Sequence, residues 1–283
     1  MSVAPGWAAA TPAASRVKLE LFDYQGVRLR PSRWLTQYEA GVKFLLSLSA
    51  DDILHGFRRV AGQSAPGKNM GGWCADDSSV VFGQWLSSLA RMYRVTGDAA
   101  VRDNAVRLFN GWAETVGTDG NCRMGHYTFE KLVCGLVDLQ AYCGIEAAAP
   151  MLERVTAWAE QSLSRQNIPA SRTGNPSGLP HEWYTLAENF YRAYQLFGNT
   201  RYRKFGDVWR YPAYWNQFAD SVAPADAYGF HAYSHVNTFS SAAMTYAVTG
   251  EVHYLNIIQN AYDWLQSLQC YATGGFGPSE TLV

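Results

Sequence analysis

Net charge, paired cysteines and long apolar runs are all nearly missing from this chain of 283 residues. A formal charge of −1 leaves no basic face for phosphates, which argues against nucleic acid as a partner and favours a neutral one. No stretch approaches the roughly 18 consecutive apolar residues that a membrane helix needs, so no bilayer span is expected. The five cysteines, Cys74, Cys122, Cys134, Cys143 and Cys270, are odd in number, scattered and without a CxxC pair. That pattern fits neither a disulfide framework nor a structural zinc knuckle. Cys134 and Cys143 fall on a helical pattern and read as small buried hydrophobes in a reduced protein. Met1 to Ser15, rich in Ala and Pro, has neither a basic start nor a continuous apolar run, so it does not read as an intact secretory signal. Residues 1–16 are read as a loose arm and the compartment as cytoplasmic by default. No β-rich segment is visible.

What is present is apolar bulk: 48% hydrophobic residues against 17% charged, enough for a large core. Aromatics reach 14%. Most should fill the interior, and some could line a cleft where a flat ring stacks on the C–H face of a sugar. Four helix-like segments run into the same stop, a Tyr followed within a few residues by Gly97, Gly144, Gly198 or Gly250. Glycine ends helices, so each mark is a C-terminal cap with another helix directly behind it. The marks lie 47, 54 and 52 residues apart (97 to 144, 144 to 198, 198 to 250), about what two helices and two loops consume. The fold class is therefore all-α, a series of helical hairpins of the α/α toroid type. Helices are expected near 32–48, 79–96, 99–116, 128–143, 148–165, 183–197, 200–219, 236–249 and 251–269. Nine helices are fewer than the twelve of a six-hairpin toroid, so residues 17–283 are expected to form the N-terminal part of a single barrel domain. An incomplete barrel would expose apolar surface and self-associate.

Connections after the glycine marks are tight, whereas the others are long and polar, and function concentrates on long ordered loops of a rigid scaffold. Those loops carry Trp73, Asp76 and Asp77; His126 and Glu130; His181 and Glu182; His231 and His235; and Glu280, each at or before the start of a helix. Other readings stand beside the functional one. Asp76 or Asp77 could cap a helix, and His181-Glu182 could be a solvated helix start. His231 and His235 are spaced to share a metal on a helix, yet no HExxH or third ligand accompanies them. Carboxylates are the natural reagents for glycosidic bond cleavage, since one must protonate the leaving oxygen. Glu280, behind the glycine-rich turn Thr273 to Pro278, is the best acid candidate; alternatively it only accepts backbone hydrogen bonds there.

Several stretches carry a family resemblance: Asp51 to Gly62, Gly71-Gly-Trp73, Trp85 to Asp98, Tyr127 to Asp138 and Tyr271 to Glu280. In this order they resemble the catalytic domain of the bacterial β-L-arabinofuranosidase family, a six-hairpin glycosidase. The resemblance implies a retaining glycoside hydrolase acting on a plant or bacterial glycan. It assigns the general acid/base to Glu280 and sugar contact to His231, with Glu182 and Glu188 in a glutamate-bearing segment; Trp73, Asp77, His126, Glu130, His181 and His235 complete the candidate substrate-binding set. Two departures bear on substrate preference: Glu130-Lys131 stands where many members have His-Lys, and Gly83-Gln84 where many have Gly-His. The family's cysteine nucleophile and zinc ligands lie downstream of the acid/base glutamate, so none of the five cysteines takes that role, and zinc is expected only in a longer protein. Two alternatives remain open at this point, a sugar epimerase using His181 and His231 and a carbohydrate-binding protein without turnover.

Overall fold

A computed structural model describes residues 24–76, 80–163, 183–220, 224 and 227–283. Among these residues the regular structure is helical, and β-type pairing is limited to one isolated antiparallel bridge between His231 and Thr281. The α-helices are α1 (Arg33–Ser47), α2 (Ala50–Val60), α3 (Phe82–Thr96), α4 (Ala99–Ala113), α5 (His126–Cys143) and α6 (Ala148–Ser162). They continue with α7 (Leu186–Phe197), α8 (Thr200–Val208), α9 (Pro212–Trp215), α10 (Ala232–Thr249) and α11 (Val252–Trp264). Short 3-10 turns occur at Gly72–Cys74, Asn216–Phe218 and Pro278–Glu280, and α11 runs into a π turn at Leu265–Gln269. No helix among the described residues is long and apolar enough to cross a membrane.

The four glycine marks are the hinges of the fold. Gly97, Gly144, Gly198 and Gly250 take left-handed φ of 68°, 61°, 68° and 78°, a region that a Cβ disfavours. Their N–H groups bond back to the carbonyls of Tyr93, Leu139, Tyr194 and Tyr246. Asp98 and Asn199 then cap the next helices, their side chains accepting from the N–H of Ala100 and Arg201, both at 2.9 Å. Each sharp stop and restart lays consecutive helices together: α3 with α4, α5 with α6, α7 with α8 and α10 with α11.

Two expected boundaries fail for identifiable reasons. Ala50–Val60, which lies outside the expected helices, is a helix with Ser49 as N-cap, Asp51 and Asp52 in its first turn and Arg58 and Arg59 in its last. That charge order complements the helix dipole. The single helix expected over 200–219 breaks after Val208, because Pro212 disfavours helical geometry at Tyr211 and restarts the chain as the first residue of α9.

The described residues divide into two compact units, 24–163 and 183–283. In the first, α3 packs against α4 and α5, α2 and α1 lie on α4, and α6 covers α5. Helices α3 and α5 touch backbone to backbone. A Cβ at Gly83 would sit 2.1 Å from the carbonyl of Lys131, and one at Gly135 would sit 2.6 Å from the Gly83 oxygen. Further along, the fully buried Asp138 of α5 accepts hydrogen bonds from Ser87 (2.6 Å) and Arg91 (2.9 Å) of α3. The second unit is built on α7 packed against α8 and α10, with α11 on α10. Its interior is aromatic: Trp183, Trp209, Trp215, Trp264, Tyr191, Tyr211 and Tyr214 are fully buried, so most of the aromatic surplus there fills core.

Candidate active site

Glu280 is presented by an unusual piece of backbone. Gly277, Ser279 and Glu280 all have positive φ (72°, 51° and 60°), which costs free energy at the two non-glycine positions and persists only where surrounding contacts impose it. Those contacts are visible. Leu282 is fully buried, and its N–H donates to the Phe230 carbonyl at 2.9 Å while its own carbonyl accepts from Gly229 at 2.8 Å. Val283 N–H donates to the Gln269 side chain at 3.0 Å, and the Gln269 amide donates back to the Val283 carbonyl. Gly277 lies so close to α10 that a Cβ there would be 2.4 Å from the Ala232 Cβ. The segment is thus laid along 229–231, which sets Glu280 Oε2 3.5 Å from His231 Nε2. The carboxylate is 67% exposed and the imidazole 8% exposed, so one side of the pair is open to an incoming ligand.

His231 is the N-cap residue of α10, and residues three and four positions on share its face. Its Nδ1 is 2.9 Å from Ser234 Oγ, and its carbonyl is 3.0 Å from His235 Nδ1. His235 itself was expected to contact substrate. Instead its ring has no exposed surface and stands among Tyr184, Tyr211, Tyr214 and Phe230, at centroid distances of 4.9, 5.9, 4.8 and 4.6 Å. Burial pushes its pKa down to about 4, opposed by the hydrogen bond to the His231 carbonyl. It therefore backs His231 instead of lining a surface. Glu188, in the first turn of α7, accepts from Ser240 Oγ of α10 and is partly buried.

In the first unit Trp73 stands on its 3-10 turn 72% exposed, available for stacking. His126 is the first residue of α5 and half-buried. Glu130 is buried and its Oε1 accepts from Lys131 Nζ at 3.1 Å, while that ammonium also lies 3.2 Å from the centre of the Tyr127 ring. Asp76, weighed above as a helix cap, does not cap α3, whose N-cap residue is Val81; its Oδ2 accepts from His55 Nδ1 (2.8 Å) and forms an ion pair with Arg59 Nε (3.2 Å), tying the loop back onto α2. Asp77, His181 and Glu182 lie outside the described residues. Ser234 is the member of the His231 cluster that sequence reasoning missed; its i+3 spacing from a candidate histidine is the signal that would have found it.

The described residues do not fit a zinc ion, since no group of three His, Cys, Asp or Glu is gathered among them. Burial raises the pKa of the Cys122 thiol to about 12 and of the Cys143 thiol to about 11, which keeps both protonated at neutral pH.

Fold and site together define an all-α protein of helical hairpins that offers a carboxylate–imidazole pair on a constrained turn. Residues 26–282 match the family model for the β-L-arabinofuranosidase GH127 catalytic domain, and the chain belongs to that family. Among solved structures it is similar to a GH127 β-arabinofuranosidase at TM-score 0.63 and 16% identity, covering 90% of this chain and 45% of that one. It is also similar to a GH127 β-L-arabinofuranosidase from Geobacillus stearothermophilus T6 at TM-score 0.60 and 16% identity, covering 88% of this chain and 45% of that one. At such identity the likeness speaks for a shared fold. The chain spans less than half the length of these structures, and no curated protein matches it in sequence.

Proposed function

We propose that this chain contributes to a retaining glycoside hydrolase acting on β-L-arabinofuranosides or closely related glycans, with Glu280 as general acid/base. The observation that carries the proposal is the exposed Glu280 carboxylate, held on a strained turn against a buried histidine in a chain of the GH127 family. A carboxyl group so placed can protonate a departing sugar or alcohol oxygen and, once ionised, take the proton of an attacking water. His231 flanks the carboxylate and can hydrogen-bond to it or to a sugar hydroxyl. No step is assigned to a metal or to a cysteine of this chain. Epimerisation by two histidines is the weaker reading, because the family membership and the carboxylate at the turn both favour hydrolysis.

The test is Glu280→Gln in the gene product that contains this chain. Hydrolysis of an alkyl β-L-arabinofuranoside should slow by about 10²- to 10⁴-fold, the usual size of general acid–base assistance. A nitrophenyl arabinoside, whose leaving group needs little protonation, should lose much less in the first step, and azide should restore part of the second. Equal losses on both substrates would refute the assignment, and sugar binding without turnover by the unaltered protein would mark a carbohydrate-binding protein instead.

A further inference from the structure

We propose that Ser234 and His235 are positioning residues that hold the neutral His231 ring in the tautomer whose Nε2–H faces the Glu280 carboxylate. The importance of that tautomer for catalysis rests on the reading of Glu280 above; the proton arrangement follows from the cluster itself.

A backbone carbonyl can only accept. The His231 carbonyl takes the His235 backbone N–H at 3.1 Å and stands 3.0 Å from His235 Nδ1, so Nδ1 of His235 carries that ring's proton. Its Nε2 is then a bare lone pair, buried in the aromatic cluster with no hydrogen-bond partner among the described residues. A second proton there would place an unpaired charge among aromatic rings, which is why the ring stays neutral. The tautomer of His235 is thereby set by the helix backbone.

From His235 the direction passes to Ser234. Its Oγ is 3.3 Å from His235 Nδ1 and receives the second branch of that N–H. The hydroxyl proton has two places to go, the His231 carbonyl at 3.3 Å or His231 Nδ1 at 2.9 Å. The carbonyl already accepts two hydrogens, and the ring nitrogen is nearer, so the hydroxyl donates to Nδ1. With Nδ1 accepting, the proton of the neutral His231 ring sits on Nε2, 3.5 Å from Glu280 Oε2. The donors thus run in one direction, from the helix-locked His235 through Ser234 and His231 to the carboxylate. The opposite tautomer would turn a lone pair toward an anion. A donor at this place faces the carboxylate that is left once Glu280 has protonated a leaving group.

The arrangement is testable without turnover. The full chain, labelled with ¹⁵N in its histidine rings, is examined by long-range ¹H–¹⁵N correlation at about pH 8, above the ordinary imidazole range. His231 and His235 are assigned by the signals lost in His231→Asn and His235→Asn. The two rings should show opposite tautomers, Nε2–H for His231 and Nδ1–H for His235. Ser234→Ala should shift the His231 Nδ1 signal toward that of an unbonded lone pair, and Ser234→Thr, which keeps a hydroxyl, should leave it near the starting value. A His231 ring protonated on Nδ1 in the unaltered chain overturns the proposal, and so does a Ser234→Ala variant with both His231 nitrogens unmoved. Because no substrate is present, failure of Glu280→Gln to affect hydrolysis would leave this result standing, and the reverse holds as well.

Discussion

A single methyl group should separate the two central helices of the first unit. In Gly83→Ala the new Cβ would lie 2.1 Å from the carbonyl carbon and oxygen of Lys131 and 2.4 Å from the Leu132 nitrogen, all of them backbone atoms that no rotamer change can move. Normal contact is about 3.5 Å, so α5 must retreat by roughly 1.4 Å or α3 must bend. Overpacking of this kind costs about 1–3 kcal/mol, and a clash against backbone sits at the upper end. Alanine's better helix propensity returns about 1 kcal/mol, leaving a net loss of about 2 kcal/mol. The displacement also pulls Asp138 away from Ser87 and Arg91, which adds to the loss. Urea unfolding followed by far-ultraviolet circular dichroism reads the result. With a slope of about 2 kcal/mol per molar, the midpoint of the first unit should fall by about 1 M. Gly41→Ala on α1 is the matched control, since a Cβ there meets nothing within 4 Å, and it should stabilise by up to about 1 kcal/mol. If Gly83→Ala left the midpoint unchanged, or raised it as Gly41→Ala does, the close crossing of α3 and α5 would be wrong.

Other expectations follow from the second unit and the thiols. His235 has an ordinary pKa of 6.5 when unfolded and about 4 when folded, so the unfolded chain binds the extra proton between those values. Stability should therefore fall as pH is lowered through that window, by up to about 3 kcal/mol, and His235→Gln should remove this component from a urea titration series. Leu282→Ala empties a fully buried site that anchors the turn, and should cost about 2–4 kcal/mol, as read by urea unfolding. With their pKa raised by burial to about 12 and about 11, Cys122 and Cys143 should resist iodoacetamide at pH 8 in the native protein and react only after denaturation, which mass spectrometry distinguishes.

Much of this protein is written locally. A helix must stop where a left-handed residue can satisfy its last carbonyls, so the glycines at 97, 144, 198 and 250 marked four hinges before any contact was known. The resemblance carried by the motifs was equally local, and the family model covering 26–282 agrees with it. Local signals for α2 were present too, in the Ser49 cap and in acidic residues placed ahead of basic ones, but the buried face of Ile53, Leu54 and Gly56 is too short for a convincing period. Pro212 likewise announced the break after α8. Period and capping say which face of a helix is buried and where it ends; they do not say what lies against that face. That Gly83 and Gly135 let two backbones touch, or that Asp138 locks α5 to α3, depends on partners tens of residues away. So does the site. Glu280 and His231 were each legible as chemistry-bearing residues, yet only the pairing of Leu282 with Phe230 brings carboxylate and imidazole within 3.5 Å. His235 shows the other side of the same limit, since a histidine four residues from a candidate looks alike in sequence whether its ring meets solvent or, as here, closes into an aromatic core.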